Sequence, residues 1–216
     1  MSRIAALGVA SKKKSLPDSQ RTTPRVKQLR AEYATDFVQV LDERVKHLIF
    51  IDEMGTNLGM TCLYGRAAPG QRVVESTPGH SGANYTTIAA LGWYGIQAPW
   101  VIVGALDATT FEGYIELILA PTLRRGDIVI LDNLSAHKGW RTKKTIRACG
   151  AQVQFLPPYS SDLNPIELGW SKVKTALRIL KARTQIDLVE ALAVALRSVS
   201  RLDVQAWLTH CGYLLS

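Results

Sequence analysis

Two short segments of this 216-residue chain, His47–Ile51 (HLIFI) and Asp127–Leu131 (DIVIL), are apolar without alternation, and each runs straight into an acid, Asp52–Glu53 in the first and Asp132–Asn133 in the second. A strand that lacks polar alternation is buried on both faces, so its sheet needs a covering layer on either side. The pattern therefore predicts an α/β fold with helices flanking a sheet. In such folds the ends of the strands are where functional groups gather.

The remaining segments fill in that frame. Thr23 and Pro24 read as the N-cap and first residue of a helix whose apolar stripe is Val26, Leu29, Tyr33, Phe37, Val40 and Leu41, ending near Asp42–Lys46. Residues 54–84 are glycine-rich, with weak strand signals at Cys62–Tyr64 and Gln71–Glu75. Tyr85–Trp93 and Trp100–Leu106 read as strands joined by a turn over Tyr94–Pro99. Thr110–Leu123 reads as a helix, Lys138–Cys149 as a basic helix stopped by Gly150, and Val153–Leu156 as a short strand. Asn164–Pro165 opens a helix with Ile166, Trp170, Val173, Leu177 and Leu180 on one face. Thr184 caps a helix over Gln185–Ser198, and Ser200 caps a last one that stops near Gly212. Antiparallel-style strands followed by strand–helix alternation predict a sheet of mixed direction. Residues 1–46 read as a polar tether with a linker helix, and 47–216 as the folded domain.

With 47% hydrophobic residues the chain can build one globular core. No apolar run approaches the ~18 residues that span a bilayer, and Ile4–Ala10 is too short for a secretory signal. Cys62, Cys149 and Cys211 are an odd, widely spaced set, which fits a reducing cytosol and a cytoplasmic protein. The net charge of +8 is unevenly placed. Residues 1–46 carry 10 Lys/Arg against 5 Asp/Glu, residues 138–183 carry 10 against 2, and the remainder carries 6 against 11. A polyanionic partner such as nucleic acid accounts for this distribution, and two solvated helix faces are the plainer explanation.

A third acid, Glu167, falls in the third position of the helix opened by Asn164–Pro165. Between Asp52 and Asp132 lie 79 residues, and between Asp132 and Glu167 lie 34. Carboxylates converging from two strand ends and a helix start need a compensating cation, and hard divalent ions such as Mg²⁺ or Mn²⁺ suit oxygen ligands. Two such ions serve hydrolysis and transfer of a phosphodiester. Each acid also has a plainer explanation: the aspartates as solvent-facing strand ends, the glutamate as a residue favoured by the helix dipole. Asp162 competes with Glu167 for the third place.

Four segments, FIDEMGTN (Phe50–Asn57), APWVI (Ala98–Ile102), LDNLSAHK (Leu131–Lys138) and LPPYSSDLNPIE (Leu156–Glu167), resemble in order and spacing the signature segments of bacterial insertion-sequence transposases of the mariner superfamily. These are DDE endonucleases with a ribonuclease H-like core, and the likeness runs from about Lys13 to Tyr213. It implies that Asp52, Asp132 and Glu167 are the catalytic triad and bind Mg²⁺ or Mn²⁺, as two ions. It implies cleavage at transposon ends, strand transfer by the freed 3′-hydroxyl, commonly into a TA dinucleotide, and a homodimer in the active complex. Asn133 and His137 then belong to the site's neighbourhood, the amide steadying a carboxylate and the imidazole contacting phosphate. An N-cap and an ordinary helix-start histidine are the alternative. Ser161 stands where the family usually has proline, and Met54 where it usually has threonine. Such transposases carry helix-turn-helix modules ahead of the core. Here 46 residues with one helix precede the first strand, so the sequence is expected to be the catalytic half of a split or truncated element, with end recognition on a separate helix-turn-helix polypeptide. A stand-alone nuclease of the same fold and an inactive DNA-binding remnant are the rival readings.

Glu167, Ser171, Lys174 and Arg178 share one helical face, offset from the apolar stripe, and together with Lys138 they are candidates to hold DNA phosphates. Gly79–Ala83 (GHSGA) faintly resembles a serine-hydrolase elbow but lacks the strand before it and the helix after it. Zinc-ligand spacing, a Walker A loop and a dinucleotide-binding glycine motif are absent from the sequence.

Overall fold

The computed structural model describes residues 19–38, 42–62, 64–74, 76 and 82–214. The tether over 1–18, Val40, Leu41, and Gly79–Ser81 of the elbow-like segment lie outside them.

Five strands form one sheet: β1 (Leu48–Thr56), β2 (Tyr85–Gly92), β3 (Gly95–Val103), β4 (Ile128–Leu131) and β5 (Gln152–Phe155), in the order β3-β2-β1-β4-β5. The β1–β2 and β2–β3 pairs are antiparallel, while β1–β4 and β4–β5 are parallel. The expected mixed sheet is therefore present. Among the described residues six α-helices accompany it: α1 (Pro24–Glu32), α2 (Ala108–Tyr114), α3 (Trp140–Ala148), α4 (Ile166–Leu180), α5 (Gln185–Arg197) and α6 (Arg201–His210). The alternation of side chains along a strand sorts the core into two layers. Leu48, Phe50 and Met54 of β1, with Ile128 and Ile130 of β4, pack against Trp170, Val173 and Leu177 of α4 and against α5 and α6. Ile49, Ile51, Val129 and Leu131 pack on the other side with Phe111 and Tyr114 of α2 and Ile146 of α3. Tyr33 and Val45 belong to the first of these layers. Among the described residues no helix is long and apolar enough to cross a membrane.

Several local expectations are corrected. β1 does not end at Asp52 but continues to Thr56, because β2 goes on pairing with it (Asp52↔Ala89 through Thr56↔Tyr85) after β4 has stopped. β3 starts at Gly95 rather than Trp100, so the connection to β2 is only Trp93–Tyr94. Pro99 is tolerated there because β3 is an edge strand, and a register shift near Ala98, whose φ is 51°, absorbs the irregularity. The weak signals at 62–64 and 71–75 form no strand among their described residues. The Thr110–Leu123 helix begins earlier, at Ala108, because Asp107 accepts a hydrogen bond from the Thr110 backbone N–H and caps it. It then widens and tightens through Ile115–Leu119 and Ala120–Thr122. The basic helix starts at Trp140, after a tight turn over Ser135–Lys138 broken at Gly139.

α4 starts at Ile166, so Glu167 is its second residue and not its third; Asn164 is extended (φ −109°, ψ 97°) and does not cap it. Leu180 is exposed rather than buried, because Lys181 turns left-handed (φ 51°) and ends the stripe at Leu177. The capping assignments for α5 and α6 hold: Thr184 and Ser200 each form a reciprocal capping box, with Asp187 and Asp203.

Candidate active site

The parallel register Phe50↔Ile130 is the last pairing between β1 and β4. Two residues further along each chain stand Asp52, on the side of β1 that faces α4, and Asp132, just past the end of β4. Glu167 comes from the first turn of α4. All three carboxylates line a single cleft of about 540 Å³, together with Asn133, Leu134, Asn164, Arg21 and the Leu156–Ser161 loop. The structure thus brings the three sequence-predicted acids together, and Asn133 with them.

Their electrostatics follow from that convergence. Burial, and then the charges of Glu167, Glu53 and Asp132, push the Asp52 carboxyl up to about 8. Burial and the charge of Asp132 also raise Glu167, against the pull of Lys174. Asp52 Oδ2 accepts a hydrogen bond of 3.1 Å from Nε1 of Trp170. Asp132 Oδ1 accepts from the Leu134 backbone N–H at 3.1 Å and from His137 Nδ1 at 2.5 Å. The other ring nitrogen, His137 Nε2, meets Glu53 Oε1 at 2.9 Å. Burial alone would lower the His137 pKa, but hydrogen bonds and charge from Asp132 and Glu53 outweigh it and raise the imidazole to about 9. Both ring nitrogens face carboxylate oxygens, an arrangement an imidazolium satisfies by donating from each.

His137 is only 4% exposed and stacks on Phe111, with ring centroids 4.1 Å apart. It cannot reach a phosphate from there, so the expected phosphate contact is replaced by a brace beneath Asp132. Among the described residues no three His, Cys, Asp or Glu side chains already stand as a metal-holding group; Asp132 is turned onto its histidine.

Asp162 does not compete with Glu167. Arg30 grips it with both guanidinium nitrogens, at 3.0 and 2.7 Å, and Arg21 adds a contact of 2.6 Å. It does not line the cleft. Of the basic candidates, Lys174 and Arg178 line a second groove of about 320 Å³ beside Gly55–Asn57 and the loop that follows β1. Lys138 is exposed at the end of the turn before α3.

Glu53, Trp170 and Arg30 were not legible as site residues. Trp170 reads as part of an apolar stripe, and nothing local to it announces a partner 118 residues away. For Glu53 a signal did exist: strand parity sends it to the face opposite Asp52, toward the element carrying His137.

The family model for the DDE superfamily endonuclease matches residues 47–189, about two thirds of the chain. A search among curated proteins returns no match. Solved structures of Mos1 transposase share the ribonuclease H-like fold. The Mos1 paired-end complex with the left transposon end aligns with a TM-score of 0.76 at 13% identity, covering 96% of this chain and 65% of that one. The Mos1 mariner paired-end complex with Mn gives 0.71 at 13%, with the same coverage of 96% and 65%. The Mos1 catalytic domain with Raltegravir and Mn gives 0.63 at 10%, covering 92% of this chain and 94% of that one. The chain therefore spans 65% of the length of the Mos1 chain in the paired-end complexes. On the family match, with its carboxylates gathered on one cleft, the chain belongs to the DDE superfamily of endonucleases.

Proposed function

We propose that residues 47–216 are the catalytic domain of a DNA transposase of the insertion-sequence kind, with 1–46 as its tether and linker helix. It would cut transposon-end DNA with a divalent metal and join the freed 3′-hydroxyl to a target such as TA. The observation that carries this reading is the convergence of Asp52, Asp132 and Glu167 on one cleft, from two neighbouring parallel strands and the start of α4.

The cleft suits a hard cation. Its acidic donors are all oxygens, and burial with the charges of neighbouring acids raises the affinity of Asp52 and Glu167 for protons, as a set short of positive charge does. Asn164, on the same lining, keeps its Oδ1 buried without a hydrogen-bond partner, an acceptor that a cation's water shell would satisfy. Asp52, Asp132 and Glu167 would hold Mg²⁺ or Mn²⁺, most simply two ions. When bound, such ions activate the attacking oxygen and stabilise the leaving oxygen of a phosphodiester.

The chain's own residues do the rest. Trp170 fixes one oxygen of Asp52. His137, anchored on Glu53, orients Asp132. Asn133 sits on the cleft wall beside them. Lys174, Arg178 and Lys138 would hold backbone phosphates, with Lys174 close enough to Glu167 to lower its carboxyl. A homodimer and a separate helix-turn-helix polypeptide would supply synapsis and end recognition.

The test is incubation of the full chain with transposon-end duplex, Mg²⁺ or Mn²⁺ and a target plasmid. Cut ends and joined products are expected, and EDTA should remove both. Cutting without joining would assign a stand-alone nuclease, and binding without either would assign a remnant.

A further inference from the structure

The carboxylate cleft has one cationic side chain on its described lining, Arg21. It arrives from outside the sheet, on the turn Ser19–Thr22 that precedes α1. The same Arg21 forms a wall of a neighbouring groove of about 300 Å³, lined by Arg21, Thr22, Lys27 and Arg30. Arg21 thus joins two depressions of opposite character, one lined by acids and one lined by bases.

More cations stand here than the packing of the arm uses. Arg30 alone makes a two-pronged contact with Asp162 and also donates to Ser160 Oγ at 2.7 Å. The apolar anchors Val26 and Tyr33 are buried. The Tyr33 hydroxyl donates to that of Tyr213, which in turn donates to the Leu163 carbonyl, each at 2.8 Å. These contacts, with the Arg21–Asp162 ion pair, hold α1 and the turn before it against the loop ahead of Glu167, and Lys27 takes no part in them. Lys27 is exposed and forms no ion pair among the described residues. Three cations therefore stand beside one carboxylate among the described residues, Asp162, which the hydrogen bonds and charge of Arg30 and the charge of Arg21 hold below the usual carboxylate range against its partial burial. A groove with such a surplus attracts a polyanion, and guanidinium forks match phosphate oxygens.

We propose that Arg21, Lys27 and Arg30 form a phosphate-binding groove that carries a DNA strand between the carboxylates and the N-terminal arm. This rests on the reading of the chain as a DNA-cutting enzyme and adds a second track, on elements other than the Lys174–Arg178 groove. Asp162 holds Arg21 and Arg30 in place along the groove when no DNA is bound.

The test is equilibrium binding of a labelled mixed-sequence duplex to the full chain, in EDTA, across a potassium chloride series. Each phosphate contact contributes a slope of ~0.9 to the fall of log K with log salt on duplex DNA. Lys27→Ala, which touches no partner in the described fold, should flatten the slope by about 0.9, and Arg21→Ala with Lys27→Ala by about 1.8. Asp162→Asn leaves the cations and removes their competitor, so binding should tighten at every salt concentration. If Asp162→Asn only lowers the melting temperature, and Lys27→Ala keeps the wild-type slope, the arm is a strap and the groove is overturned while the transposase reading stands. A wild-type chain with no salt-dependent DNA binding overturns both.

Discussion

The indole Nε1 of Trp170 donates to Oδ2 of Asp52 across 3.1 Å, so the apolar face of α4 that seals the sheet also carries the first acid of the cleft. Trp170 is 2% exposed, and its N–H is spent on a carboxylate rather than on water. Trp170→Phe keeps most of the packing and removes that donor. The expected loss is ~10–100-fold in metal-dependent cleavage or metal affinity, the range for partners that orient a ligand. Cleavage rates across a Mg²⁺ titration, with a melting curve as the folding control, check this. An unchanged metal dependence would show that Asp52 needs no such support.

Asp132→Asn should abolish cleavage and joining while leaving DNA binding intact or stronger. The amide preserves shape, loses the charge needed to hold a cation and repels phosphate less. It can still accept from the Leu134 backbone N–H, as the carboxylate does. Cleavage and binding assays on the same preparation separate the two effects, and retained Mg²⁺-dependent cutting would remove Asp132 from the site.

Lys174→Ala with Arg178→Ala tests the groove beside Gly55–Asn57. Two lost phosphate contacts should flatten the salt slope of duplex binding by about 1.8. Combined with the arm substitutions, the reductions should add if the two grooves hold separate stretches of DNA.

Acid should release the arm before it unfolds the sheet. Asp162 is partly buried, which favours protonation, but the Arg30 hydrogen bonds and the charges of Arg30 and Arg21 hold its pKa below the ordinary value. A depressed carboxyl contributes stability above its unfolded pKa of about 3.9. That contribution is lost as the pH falls through the folded value. Proteolysis within α1 should therefore accelerate below about pH 4 while the strands stay protected in hydrogen exchange. In an Asp162→Asn chain this acid-dependent acceleration should be absent.

The two aspartates were legible because each directly follows a run of apolar strand residues, Leu48–Ile51 and Ile128–Leu131. The continuation of β1 was not legible. Met54-Gly55-Thr56 has little strand character of its own and is held by pairing with Tyr85–Thr87, far along the chain. Gly95–Pro99 has the composition of a turn, and only its place at the sheet edge makes it a strand. The burial of His137 was hidden for a related reason. A histidine near a helix start is ordinarily solvated, and its second partner, Glu53, lies 84 residues away. Asp162 looked like a spare acid because its grip by Arg30 spans 132 residues. In each case a local pattern was overruled by a distant segment.

Asp52 and Glu53 are neighbours in sequence that serve opposite sides of the sheet, one meeting Trp170 and the other His137. A slip of β1 by one residue would exchange their addresses, since strand side chains alternate strictly. The chain's charge would be unchanged, yet the carboxylate of the cleft would be delivered into the layer of Phe111 and Tyr114. Insertions of a single residue between Leu48 and Asp52 should therefore be lethal to the enzyme. The long connection from Thr56 to Tyr85 lies outside that frame, and drift in its length leaves the delivery of both acids unaltered.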